Sequence, residues 1–210
     1  AARSGHGDRL SKVSDIHNPP DAPAPSVAAM TTTHPTAQLF TDRADRFAEI
    51  LDGSGGQWEA PTPCEGWTVR DVVQHVVETE REFLARHDLL GSSTPPDLAD
   101  PAAGFRAHAR DVAAALARDG VAEQEYDGYF GRTTIAATMA DFYGWDLVVH
   151  GSDVARATGQ DWSVSNEEAA RLHVTADGWG DALYSEGVCT EAVDVADDAS
   201  ASDRLLARLG

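Results

Sequence analysis

From Phe40 onward, apolar residues recur three and four positions apart, the spacing of one face of an α-helix. Phe40, Ala44, Phe47 and Leu51 predict an amphipathic first helix ending near Gly53, and Gly53 to Gly66 reads as a loop. Thr68 followed by Asp71 forms an N-cap with an acidic residue at N3, so a second helix starts there, with Val69, Val72, Val73, Val76, Phe83 and Leu84 on its core face. His75 projects from the edge of that stripe. After Pro95 and Pro96, Asp100 and Pro101 predict the N-cap and first residue of a third helix carrying Phe105, Ala109, Val112 and Leu116 on one face. His108 lies in this helix with nothing to pair it with the other candidates. A link over Gly120 to Gly131 leads to a further helix through Asp146. Ser165 with Glu168 predicts a capping box for another bearing Leu172, Ala176 and Leu183, and a short last helix spans Asp203 to Leu209. With no strong alternating strand pattern, glycine-rich phosphate loop or internal repeat, the pattern predicts an all-α fold, an antiparallel four-helix bundle with short additional helices.

The fourth long helix breaks the pattern in an informative way. At about 100° per residue, Ile135, Met139, Phe142, Asp146, Val149 and His150 fall on one third of the circumference, which places two polar side chains inside an apolar stripe. A carboxylate there must be paired, hydrogen-bonded or metal-bound, because burying it alone costs several kcal/mol (about 2–7 for a neutral polar group, more for a charge). Asp146 and His150 are four apart, so they stack and can grip one ion. If the second helix packs alongside, His75 completes a two-histidine, one-carboxylate set that leaves a fourth position open, as a catalytic zinc site requires. Nickel, iron or manganese suit the same ligands. The alternative is that Asp146 and His150 satisfy one another or a buried water.

Composition narrows the partners. The 210 residues are 42% hydrophobic, enough for one globular domain, and carry a net charge of −19 with no local run of Lys or Arg, which argues against nucleic acid. No segment approaches the roughly twenty apolar residues of a membrane helix, and the N-terminus has no signal-peptide core, so a cytoplasmic protein is expected. Cys64 and Cys189 are too few for a disulfide scaffold; Cys64, just before the His75 helix, is a minor candidate for a ligand or redox role. Residues 1 to about 35 scatter five prolines among Ala, Ser, Thr and Asp without hydrophobic period and read as a flexible leader. Met30 resembles a natural start, and on that expectation residues 1–29 would be an upstream extension or expression remnant. His6, His17 and His34 there are weak metal candidates without a fixed scaffold.

Three segments carry a family resemblance: PTPCEGWTVRDVVQHVV from Pro61 to Val77, DLVVHGSDVARATG from Asp146 to Gly159, and VADDASASDRLLARLG from Val195 to Gly210. With the intervening helices, covering residues 36 to 210, the chain resembles the DinB-like metalloprotein superfamily, in its actinobacterial branch related to mycothiol-dependent maleylpyruvate isomerase. The resemblance implies a DinB-type bundle and a metal held by a histidine on the second helix and an acidic-x-x-x-His pair on a later one, which are His75, Asp146 and His150. It further implies a low-molecular-weight thiol, mycothiol in actinobacteria, bound at the open position. This chain departs from the family's HGWD by placing Ser152 where the aromatic residue stands. The isomerase carries an additional C-terminal domain, whereas 60 residues follow His150 here.

The expected function is therefore a divalent-metal enzyme, zinc foremost, that uses a thiol for S-transfer or isomerisation of a small electrophile, as a monomer or homodimer. A non-catalytic metal-binding or stress-response protein is the alternative. Asp153 and Arg156, about one turn beyond His150, are candidate cofactor contacts: Asp153 to hold an imidazole in its metal-binding tautomer, Arg156 to face an anionic group. They could instead form a surface i,i+3 ion pair. Trp67 and Trp145 flank the two ligand helices and are expected chiefly to pack.

Overall fold

A computed structural model describes residues 34–185 and 189–210. The leader's His6 and His17, and the Met30 start, lie outside the described residues. Four helices form the body: α1 (Pro35–Gly53), α2 (Val69–Arg86), α3 (Pro101–Leu116) and α5 (Gly144–Thr158). Each of α1 and α2 packs against both α3 and α5, so the four close into a ring with α2 and α5 as neighbours. That adjacency brings His75 beside the Asp146 helix. The fold is the all-α bundle that the periodicity predicts. Phe40, Phe47, Leu51, Val72, Phe105 and Leu147 are among the side chains filling its core.

The helix boundaries follow local chemistry. Thr68 and Asp71 cap α2 reciprocally, with the Thr68 hydroxyl accepting from the Asp71 amide and the Asp71 carboxylate accepting from the Thr68 amide. Asp100 caps α3 ahead of Pro101. Ser200 and Asp203 make a second capping box, so the last helix, α7 (Ala201–Leu209), begins two residues earlier than predicted. At α6 (Asn166–Trp179) the expected box is only half formed. Ser165 accepts from the Glu168 amide, while the Glu168 carboxylate accepts from Arg43 Nε at 2.7 Å. A tertiary ion pair has taken the side chain that local sequence assigns to the cap. Leu183 also lies beyond α6, in a 3-10 turn over Gly180–Tyr184.

Two departures concern the approach to α5. The link after Gly120 contains an antiparallel hairpin, β1 (Glu125–Gly128) with β2 (Gly131–Thr134), pairing Tyr126 with Thr133. It is too short, and too exposed at its tip, to leave an alternating signature. The helix then starts as α4 (Ile135–Thr138) and passes through a π-helical turn over Met139–Tyr143 before continuing as α5. The Gly144 amide donates to the Met139 carbonyl, five residues back. One extra residue per turn rotates everything downstream, so Tyr143 is buried (6% exposed) and Phe142, assigned to the core stripe, is 46% exposed. Arg43 crosses from α1 to donate to the Ala140 carbonyl within this turn. A Cβ on Gly144 would stand 3.1 Å from Arg43 Cδ, so glycine permits that crossing.

Trp145, Val148, Leu172, Leu183 and Leu205 form a smaller second core between α5 and the C-terminal helices. No described helix is long and apolar enough to cross a membrane.

Candidate metal centre

His75 on α2 meets Asp146 and His150 on α5. The Asp146 oxygens stand 3.7 Å from His75 Nε2 and 3.5 Å from His150 Nε2. Neither approach forms a hydrogen bond, whose N–O distance is about 2.9 Å. Asp146 therefore hydrogen-bonds neither imidazole and stands at ion-pair distance from both. Their exposure is graded, with 34% of the His75 side chain, 27% of Asp146 and 12% of His150 accessible. Because of the π turn, the cluster sits at the edge of the core rather than within the stripe. All three side chains are partly open to solvent.

A second layer lies behind His150. Its Nδ1 donates to Asp153 Oδ2 at 3.0 Å, which turns Nε2 toward Asp146 and His75. Asp153 is buried, and among the described residues it makes no ion pair with Arg156, which is exposed. The i,i+3 surface pair is therefore replaced by a carboxylate–imidazole contact. Cys64 Sγ donates to the same Asp153 oxygen at 3.3 Å and lies 4.0 Å from His150 Nδ1. Two overlapping groups thus have ligand atoms mutually within 4.8 Å: His75, Asp146 and His150, and Cys64, His150 and Asp153.

Electrostatics follow from this crowding. Burial alone would push the His150 imidazole down. The Asp146 charge and the hydrogen bond to Asp153 outweigh it and carry the group well above its ordinary value. Cys189 is pushed up to about 11, by burial first and then by Asp146 and Asp153.

The loop before α2 supplies two neighbours. Cys64 to Trp67 form a tight turn in which the Trp67 amide donates to the Cys64 carbonyl at 3.0 Å, with Gly66 at φ 79° as such a turn demands. The half-buried Trp67 ring lies 4.9 Å from the His75 ring and is stacked 6.0 Å from that of His150. Trp145, by contrast, is a packing residue, donating from Nε1 to the Leu172 carbonyl. In the sequence, Cys64 and Trp67 carry little signal beyond the Pro61–Gly66 turn just ahead of the α2 cap. Ser152 is buried, and its hydroxyl has no partner among the described residues. His34 stands 4.0 Å from Glu123 and takes no part in the cluster.

His108 is not part of it either. It hydrogen-bonds Glu80 within the core, Nε2 to Oε2 at 2.8 Å.

A helical bundle with two imidazoles and a carboxylate converging between adjacent helices is the class that fold and cluster define. The family model described as the mycothiol maleylpyruvate isomerase N-terminal domain matches residues 37–155, more than half of the chain. The protein belongs to that mycothiol-related, DinB-like family. The matched span takes in Cys64, His75, Asp146, His150 and Asp153 and ends just before Arg156. No curated protein and no solved structure is found to match.

Proposed function

We propose that the protein is a divalent-metal-dependent enzyme that uses a low-molecular-weight thiol, mycothiol or a relative, for S-transfer to, or cis–trans isomerisation of, a small electrophile. The observation that carries this reading is the Asp146 carboxylate, spaced 3.5 and 3.7 Å from two imidazole Nε2 atoms without bonding to either. An ion about 2.0–2.1 Å from each ligand in tetrahedral geometry separates the ligand atoms by about 3.3 Å, close to the spacing found. The donor set suits zinc first, with nickel or iron as substitutes.

A divalent ion held there would supply a Lewis-acidic position that favours an anionic ligand and lets a thiol lose its proton near neutral pH. The chain's own groups set the conditions. His75, Asp146 and His150 would hold the ion, and Asp153 keeps the His150 Nδ1 proton so that Nε2 presents its lone pair. Trp67 lies beside both imidazoles, stacked on that of His150 and tilted against that of His75. Arg156, exposed beyond His150, is available to an anionic group of the thiol or substrate. The nucleophile in this scheme is the cosubstrate sulfur, with the protein supplying orientation and charge.

Cobalt-substituted protein tests the reading. Adding a low-molecular-weight thiol should shift the visible cobalt bands saturably, and the shift should be absent in Asp146→Ala. Bands indifferent to thiol at millimolar concentration would refute thiol use while leaving metal binding standing.

A further inference from the structure

Resting on the metal reading above, we infer that Cys64 is a positioning residue for the centre: its thiol holds Asp153, and through Asp153 the His150 imidazole, from outside the ligand set.

The geometry separates the two sides of the His150 ring. Nε2 faces Asp146 at 3.5 Å, whereas Nδ1 faces Asp153 at 3.0 Å. Cys64 is on the Nδ1 side, and its Sγ donates to the Asp153 oxygen that already accepts from His150. One carboxylate oxygen thus receives two donors, fixing the orientation of a buried Asp153 that has a choice of rotamers otherwise. The anchor comes from a different part of the chain, 89 residues away. The Cys64–Trp67 turn that carries it also sets Trp67 against both imidazoles, and its end leads directly into the Thr68 cap of α2. A single turn therefore couples the placement of α2, with His75, to the orientation of His150 on α5.

Cys64, His150 Nδ1 and Asp153 also lie close enough to be read as ligands of a second ion. The hydrogen-bonded reading is favoured because Sγ–Oδ2 at 3.3 Å and Nδ1–Oδ2 at 3.0 Å each already join a donor to an acceptor. In the Asp146 cluster no such bonds exist.

The experiment compares full-length wild type, Cys64→Ser and Cys64→Ala, loaded with cobalt in thiol-free buffer and titrated against a chromophoric chelator. Serine keeps a donor and alanine does not. Wild type and Cys64→Ser should bind one equivalent with affinities within about twofold, and Cys64→Ala should bind about tenfold more weakly, the lower end for loss of an outer partner. Metal-free melting temperatures of the three should agree. Equal affinity in all three would overturn the inference. So would a sulfur-to-cobalt charge-transfer band in wild type that both substitutions abolish, because Cys64 would then be a ligand. A wild type that takes up no cobalt would remove the metal reading and this inference together, a result distinct from either.

Discussion

Two histidine–carboxylate groups lie in this bundle, and they are built differently. Glu80 and His108, on α2 and α3, are 1% and 0% exposed and joined by a 2.8 Å hydrogen bond. Asp146, His75 and His150 are partly open, with a carboxylate near two imidazoles and bonded to neither. The first group is a mutual hydrogen bond within the buried core. Its remaining atoms, Glu80 Oε1 and His108 Nδ1, have no partner among the described residues. The second brings three side-chain atoms within 4.8 Å of one another, with Asp153 hydrogen-bonded to His150 from behind. The same residue types are thus hydrogen-bonded to each other in one place and left without a mutual hydrogen bond in the other.

The comparison is broken most severely at His150. His150→Ala should weaken divalent-metal binding by more than about 100-fold, beyond what loss of an outer partner costs. The stabilisation by metal, about 2.7 kcal/mol at a hundredfold excess over Kd, should vanish with it, as a calorimetric melt would record. Glu80→Ala should do the reverse, costing about 3 kcal/mol from a cavity and an imidazole left unpaired while metal affinity holds. Denaturant unfolding beside a chelator titration separates the two.

Titration sharpens the contrast. Burial, ahead of the opposing hydrogen bond from His108, raises the Glu80 carboxyl above its ordinary value. The folded state then holds that proton more tightly than the unfolded chain, so this contribution to stability is present at low pH and is lost as pH rises through the folded value. Glu80→Gln should therefore gain on wild type at neutral pH, with the gap between their melting temperatures narrowing on acidification. At the open site, the raised His150 retains a proton that a metal must displace, so affinity should climb with pH through neutrality. The smallest effect is at Cys189: its thiol, pushed up to about 11, should alkylate slowly at pH 8 and faster as pH approaches that value, by mass-spectrometric labelling.

The bundle and the helices carrying His75, Asp146 and His150 are legible because their signals are local. Thr68 and Asp71 mark the start of α2, and the four-residue interval from Asp146 to His150 survives any rotation of the helix that carries them. The phase of that helix is not legible, since it is reset by a π turn over Met139–Tyr143 whose Ala140 carbonyl accepts from Arg43, 97 residues away. Glu168 left its cap for the same Arg43. Cys64 and Trp67 gain meaning only once a loop folds against α5, and Glu80 looks like any helical glutamate until α3 supplies His108. Each of these depends on long-range contacts that periodicity does not encode.

The proposed chemistry requires that His75, Asp146 and His150 receive a metal ion. Inductively coupled plasma mass spectrometry on tag-free wild type and His150→Ala tests it most directly. About one equivalent of a divalent metal is expected in the wild type, lost in the variant. Substoichiometric metal, the same in both, would contradict it.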